Sequence, residues 1–297
     1  MSISSEGLQN RFDLGGGWQE VGSPVPVALV DARLQLHWAA QVVGAVGNTF
    51  GSPEPDDSHT ALRWVAGSDM LVGEPVGPDR TLQPALVPAR MVLRLLSSAD
   101  GSLLDEFALG GSTLDQAYGW MAQALESRTG GALTGELTRR DYQMPDHAVG
   151  RGAEFRVDDS RATGEVGRWF ANAGRVLGLV LRARREALPV RVWPHHFDIG
   201  TLIPLLGPVG EEPSVGLGMS PGDHVYPEPY WYVTAWPTPE DPRLPRLAGK
   251  GRWHTDGWIG AILLGTDCVL AGRGPVQAAL VGEFLESAIP AAITLLA

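Results

Sequence analysis

The sequence predicts an α+β protein with a mostly antiparallel sheet flanked by helices. Strand signals occur in groups, one of them with a hairpin turn, and helical periodicity precedes and follows each group. The order helix, strands, helix occurs twice, over 31–140 and 160–297, which suggests two similar halves sharing one core. We expect an N-terminal extension over 1–30 and a single α+β domain over 31–297, since one core can serve roughly 250 to 300 residues.

The first half is predicted to contain a helix, about three strands and a second helix. Ala99-Asp-Gly101 is typical of a hairpin turn, and Ser112-Thr-Leu-Asp115 has the form of a capping box at a helix start. The predicted elements are a helix over 34–46, an apolar segment over 61–65, strands over 91–96 and 103–109, and a helix from Ser112 through Glu126.

The second half is predicted to repeat this order with more strands. Its first helix carries an apolar face at helical spacing, and its last contains Pro290, which we expect to kink it. The predicted elements are a helix over 163–186, strands over 190–199, 215–219, 231–236 and 253–264, and a helix over 276–296.

Composition excludes several classes of protein. The 297-residue chain has 23 basic and 34 acidic side chains and a net charge of −11, so it lacks the field of a nucleic-acid-binding protein. Its single cysteine, Cys268, which we expect in a buried strand, excludes an intrachain disulfide and a multi-cysteine zinc site. Residues 1–20 lack an apolar leader and the apolar tail 287–297 is too short to span a membrane. We therefore expect a cytoplasmic protein with no membrane partner.

The most informative motif is Trp193-Pro-His-His-Phe-Asp198. In an extended segment, His196 and Asp198 would share one face, and His195 would lie on the other. An imidazole beside a carboxylate suits either two ligands of one metal ion or a base with the carboxylate that orients it. A histidine pair satisfied by backbone hydrogen bonds is the alternative.

A second motif, Pro55-Asp-Asp-Ser-His59, offers similar chemistry. Asp57 and His59 would share a face of an extended chain and, with His196 and Asp198, could bind a divalent zinc or iron ion. The alternative for the Asp and Ser residues is a turn or helix cap, whereas a turn does not require the imidazole of His59.

Further candidate residues cluster in the second half. Glu228, between two prolines, is a candidate catalytic carboxylate beside His196 and Asp198. Aromatic residues line many ligand pockets, and five of the ten tryptophans lie between 193 and 258, together with four histidines. The candidate ligand-binding residues are Trp193, His195, His224, Trp231 and His254.

One helix carries a basic stripe. Arginines recur every seven residues at 161, 168, 175 and 182. A solvated helix face explains this pattern. The alternatives are docking onto the acidic remainder of a second subunit, so a homo-oligomer stays open, and an anion site.

With Trp193-Pro-His-His-Phe-Asp198, Tyr226-Pro-Glu-Pro229 and Pro55-Asp-Asp-Ser-His59, the chain resembles an uncharacterised bacterial domain family over most of 31–296. The resemblance implies no known activity.

Two hypotheses for function follow. The first is a metal-dependent enzyme acting on a small polar molecule, by hydrolytic or lyase chemistry or by iron-dependent oxidation, with its His/Asp site between the two halves. The second is a non-catalytic protein that binds a small molecule in a pocket lined by Trp and His. A structural protein with locally satisfied histidines is a third reading.

Overall fold

The computed structural model describes residues 16–205, 213–240 and 243–296. It confirms the α+β class, because the strands form antiparallel sheets flanked by helices. The chain divides into two compact units. Unit 1 comprises Met1–Val27, Arg168–Val190 and Ile199–Ala297, and unit 2 comprises Ala28–Gly167 and Arg191–Asp198. Residues 1–15 of the predicted N-terminal extension lie outside the described residues.

Unit 2 contains a five-stranded antiparallel sheet in the order β1-β2-β3-β4-β5. The sequence reading missed β2, which has only three residues, and β3, which contains Pro84 and so does not resemble a regular strand. The elements are α1 Val30–Phe50, β1 Arg63–Val65, β2 Met70–Val72, β3 Leu82–Val87, β4 Val92–Ser97, β5 Leu103–Ala108, α2 Leu114–Arg128, the start of α3 Ser160–Ala183, and β6 Arg191–Trp193.

The predicted helices of unit 2 are confirmed with shifted ends. α1 is buried around most of its circumference, as expected of a core helix, and Leu36, Val42 and Val43 are fully buried. At the start of α2, Thr113 and Gln116 form the capping box by reciprocal side-chain to backbone hydrogen bonds. The predicted box at Ser112 was therefore wrong by one residue.

Unit 1 contains an antiparallel sheet whose strands run in the order β10-β11-β9-β8-β7. The predicted strand over 253–264 is two short strands, and the predicted strand over 190–199 is interrupted by a turn. Cys268 is buried, as expected, but in a helix rather than a strand. The elements are the remainder of α3, β7 Asp198–Pro204, β8 Ser214–Ser220, β9 Tyr230–Trp236, β10 Arg252–His254, β11 Gly260–Leu264, α4 Gly265–Ala271 and α5 Gly274–Thr294.

The core of unit 1 lies between this sheet and α5. Leu217 of β8 and Val233 of β9 are fully buried, as is Phe284 of α5, which packs on these strands. Among the described residues, α5 is the one helix that has the length and hydropathy to cross a membrane. Since 61% of the apolar stretch of α5 is buried inside the protein, the helix also has the apolar character of a core helix.

The face of β8 opposite this core needs small residues. A Cβ atom at Gly218 would lie 2.3 Å from the Ile199 carbonyl oxygen and 2.5 Å from the Tyr232 hydroxyl. The tyrosine could turn away, but a backbone carbonyl within the β7–β8 ladder cannot do so without breaking the strand pairing.

We expect Gly218→Ala to lower the free energy of unfolding by about 1–3 kcal/mol, because the added methyl group overpacks a strand ladder. Urea denaturation measures this loss. The matched control in unit 1 is Gly178→Ala in α3, where the nearest atom to the new Cβ is Arg182 Nη1 at 3.7 Å. This helical substitution should instead stabilise the protein by about 0.5–1 kcal/mol. Equal effects of the two substitutions would contradict the packing argument.

Candidate functional site

The two motifs predicted from the sequence come together in unit 2 through one backbone pairing. The Leu62 N–H donates to the Val192 carbonyl at 2.9 Å, and the Val192 N–H donates back to the Leu62 carbonyl at 2.7 Å. The segment that ends the Pro55–His59 motif therefore lies beside the strand that begins the Trp193–Asp198 motif. Arg191, at the start of that strand, is thereby brought close to the first motif.

The Trp193–Asp198 motif is a turn, which corrects the prediction of an extended segment. The Phe197 N–H donates to the Trp193 carbonyl at 2.7 Å, and Phe197 has a φ of 56° in the left-handed region. Phe197 is 1% exposed, and its ring stacks on that of His37 with centroids 5.2 Å apart. The predicted sharing of one strand face by His196 and Asp198 was therefore wrong, and Asp198 begins β7 instead.

The turn is held to α1 by a buried carbonyl. The oxygen of Pro194 accepts hydrogen bonds from His37 Nε2 at 2.8 Å and from Gln41 Nε2 at 2.7 Å. Because a carbonyl can only accept, His37 carries its proton on Nε2. Burial, partly opposed by this hydrogen bond, lowers the pKa of His37 from 6.5 to about 4. His37 is thus a neutral structural histidine at neutral pH.

His195 and His196 form an imidazole pair on the outer side of this turn. Their ring centroids lie 4.3 Å apart, and His195 also contacts the rings of Trp193 and Tyr142. Burial and the neighbouring His196 lower the pKa of His195 to about 4, against the opposing effect of Asp57. The half-buried ring of His195 is therefore neutral near pH 7, while His196 is exposed.

His59 lies in a short 3₁₀ turn, Ser58–Thr60, rather than in an extended chain. Asp57 precedes it in a left-handed conformation with a φ of 58°, so the predicted shared face of Asp57 and His59 was also wrong. His59 Nδ1 accepts a hydrogen bond from the Glu54 N–H at 3.1 Å. In the neutral ring the proton consequently sits on Nε2, which is left as a donor.

A polar cleft of about 320 Å³, here called the His59 cleft, opens beside this ring. Ser58 and His59 of the first motif line it, and Arg191, two residues before the second motif, lines it as well. The polar side chains that line it are Ser52, Glu54, Ser58, His59, Glu74, Arg80 and Arg191.

Ion pairs set the charges of the His59 cleft. Glu74 pairs with Arg80 at 3.1 Å and with Arg191 at 3.7 Å. Arg191 also donates to the Ser58 carbonyl at 3.4 Å, which ties it to the 3₁₀ turn. Glu54 is exposed and has no ion-pair partner among the described residues. The cleft lining thus combines guanidinium and imidazole donors with one carboxylate that has no ion-pair partner among the described residues.

The predicted metal ligands do not assemble into a metal site. Catalytic zinc and iron sites generally require three protein ligands. Within 16–205, 213–240 and 243–296, no three His, Cys, Asp or Glu side chains are grouped so as to hold a metal ion. Asp57 pairs with Arg140, and His59 Nδ1 is occupied by the Glu54 N–H.

Two predicted site residues of unit 1, Glu228 and His254, are engaged by hydrogen bonds within that unit. Glu228 is 8% exposed, and its Oε2 accepts the Thr266 N–H at 2.6 Å, which caps the start of α4. His254 bonds through Nδ1 with the Tyr226 hydroxyl at 2.8 Å and through Nε2 with the Asp256 carbonyl at 2.6 Å.

The two remaining predicted residues of unit 1 differ in exposure. Trp231 is fully buried in the core and stacks on Trp18 with ring centroids 6.4 Å apart. His224 is exposed. Neither lies against a described cleft.

Sequence reasoning missed three of the charged residues of the His59 cleft. Glu54, Glu74 and Arg80 lie in segments that carry neither a strand pattern nor a known motif. Arg191 follows the helix that carries the basic stripe, and no motif includes it. No sequence signal links Arg191 to the other three, because it reaches Glu74 only in the folded chain.

Comparisons with models of known protein families, with characterised proteins and with solved structures gave no match. The chemistry of the site therefore rests on its own geometry.

We expect the free energy of unfolding to fall by up to about 3 kcal/mol as the pH falls from 6.5 to 4, owing to His37. The pKa of this histidine is about 4 in the folded protein and 6.5 in a free chain. Between these two pH values, His37 is protonated in the unfolded chain but neutral in the folded protein. Proton binding therefore stabilises the unfolded state relative to the native state, and this destabilisation of the fold is absent above pH 6.5. Urea titrations at several pH values measure it.

The control for this pH dependence is His37→Gln, whose amide can still donate to the Pro194 carbonyl but does not titrate. It should remove the part of the slope due to His37 and leave the part due to His195, whose pKa is also lowered to about 4, whereas His224→Gln, at an exposed position, should leave the slope unchanged. An unchanged slope in His37→Gln would show that other groups cause the dependence.

We expect elemental analysis of the protein, purified without a His tag, to find zinc and iron well below one equivalent per chain. The His196→Ala, Asp198→Ala double variant should match the parent. A full equivalent of metal that is lost in the double variant would show that these side chains rearrange around an ion.

Proposed function

We propose that this protein binds a small zwitterionic molecule, of the size of an amino acid, in the His59 cleft and does not transform it. The observation that carries the proposal is the charge arrangement of the cleft. Imidazole and guanidinium donors lie beside one carboxylate, Glu54, that has no ion-pair partner among the described residues. A volume of about 320 Å³ is at the lower end of the range for small-molecule sites.

The anionic group of the ligand would be held by Arg191 and His59. Arg191 is held in place by Glu74 and the Ser58 carbonyl, so part of its fork is already oriented. Guanidinium groups bind carboxylates through charge-assisted hydrogen bonds, which are stronger than neutral ones. His59 adds an Nε2–H donor whose direction is fixed by the hydrogen bond at Nδ1.

The cationic group of the ligand would be held by Glu54. The cleft contains two arginines and two glutamates, so its formal charge is zero and favours neither a simple anion nor a simple cation. Glu74 is engaged by both arginines, which leaves Glu54 as the carboxylate available to an ammonium group.

Binding without catalysis is favoured over the metal-dependent enzyme for a specific reason. The predicted catalytic set of His196, Asp198 and Glu228 includes a carboxylate that caps α4. The predicted ligand set is not grouped around a metal position in the described residues. The His59 cleft, in contrast, presents several polar side chains to one volume.

We expect calorimetric titration to detect 4-aminobutyrate, β-alanine or glycine binding more tightly than butyrate or propylamine, each of which lacks one charge. Arg191→Gln should weaken binding of the zwitterion by roughly tenfold or more, because it removes a hydrogen bond to a charged group. The control is Arg90→Gln, an exposed arginine of unit 2 that pairs with Glu106 outside the cleft.

A matched pair of variants tests the role of His59. In His59→Asn the amide oxygen can replace Nδ1 as acceptor for the Glu54 N–H, but the Nε2–H donor is lost. This variant should keep the stability of the parent and lose affinity, whereas His59→Gln should keep a donor and lose the loop contact. Equal binding of butyrate and 4-aminobutyrate would refute the proposal that the ligand is a zwitterion. Turnover of the bound molecule would refute the claim that the protein binds without catalysis.

A further inference from the structure

A second cleft in unit 2 is independent of the predicted motifs. Its volume is about 520 Å³, and it lies among Trp38 of α1, the first half of α2 and the segment 136–150. The two clefts share no lining residue. We call it the Tyr118 cleft, after the α2 tyrosine in its wall.

The hydroxyl of Tyr118 is buried and has no hydrogen-bond partner among the described residues. Buried polar groups are nearly always hydrogen-bonded, so an orphaned phenol in a cleft wall points to a partner that is not part of the chain. Burial raises the pKa of Tyr118, against the opposing effect of Arg139. The phenol therefore keeps its proton at neutral pH and acts as a donor.

Trp38 provides a rigid aromatic wall for this cleft. Its Nε1 donates to the Pro145 carbonyl at 3.2 Å, which fixes the plane of the indole. Gly150 lies against the ring, where an added Cβ atom would be 2.3 Å from a ring carbon. The guanidinium of Arg139 lies 5.6 Å from the ring centroid, in a cation–π contact.

The charges at the rim decide the class of ligand. Asp115, Glu136 and Arg139 are all exposed, and their formal charges sum to −1. This rim disfavours an anion, and the contact with Trp38 that a cation would use is already made by Arg139. The buried part of the wall is apolar, with Leu114 and Leu137 beside the two aromatic side chains.

We propose that the Tyr118 cleft binds an uncharged, flat molecule with an apolar body and a carbonyl acceptor. The apolar body would lie along Trp38, Leu114 and Leu137, and the carbonyl would accept a hydrogen bond from the Tyr118 hydroxyl. This hydroxyl is closed to solvent, so the rim must open for the contact to form.

Ligand-observed NMR titration with benzamide, benzoate and benzamidine tests the charge selectivity. These probes share one ring and are neutral, anionic and cationic, respectively. Benzamide should bind most tightly. In Tyr118→Phe its affinity should fall roughly three- to tenfold, the loss expected for one hydrogen bond. Tyr226→Phe, which removes a tyrosine hydroxyl in unit 1, should leave the affinity unchanged.

The stability of the free protein gives a second readout. If the phenol has no partner within the chain, Tyr118→Phe should leave the melting temperature of the free protein unchanged or raise it. A lower melting temperature would show that the hydroxyl is satisfied inside the protein, which would overturn the proposal. So would an absence of benzamide binding, tighter binding of benzoate, or an unchanged benzamide affinity in Tyr118→Phe.

Arg191→Gln separates this proposal from that of the His59 cleft. It should weaken binding of 4-aminobutyrate and leave that of benzamide unchanged. The proposal for either cleft can then be refuted without affecting the test of the other.

Discussion

The candidate site depends on the reciprocal backbone hydrogen bonds between Leu62 and Val192, residues 130 positions apart in the chain. They anchor β6 beside the 3₁₀ turn of His59. As a result Arg191 reaches both Ser58 and Glu74. Without this pairing, nothing described would hold Arg191 beside Ser58 and Glu74, and the cleft would lose the guanidinium that contacts both.

The histidines divide into structural and available groups according to what their ring nitrogens contact. His37 donates to the buried Pro194 carbonyl, and His254 is bonded at both ring nitrogens. His59 is bonded at one nitrogen and lines a cleft with the rest of its ring. An imidazole fixed at one end and open at the other suits recognition, because its direction is set before a ligand arrives.

Net charge and local charge carry different information in this protein. The net charge of −11 predicts that nucleic acid is not a partner, and this prediction depends only on composition. The His59 cleft has a formal charge of zero, and the rim of the Tyr118 cleft has −1. Ligand class follows from these local sums and from which carboxylates are already paired. The local charge sums and the pairing of carboxylates both depend on where side chains lie in the fold, which composition does not give.

The sequence by itself determined the α+β class, the helices α1, α2, α3 and α5, and the strands β4, β5, β8 and β9, because their periodicity or turn signals are local. It also identified the two motifs that meet in unit 2. Short strands such as β2, and β3 with its proline, depend on pairing with neighbours and left no clear pattern. Only the tertiary structure decided that Trp193–Asp198 is a turn, since its conformation depends on the Pro194 carbonyl being bound by α1. The partners of His59 and the orphaned hydroxyl of Tyr118 were likewise decided by contacts between residues distant in the chain.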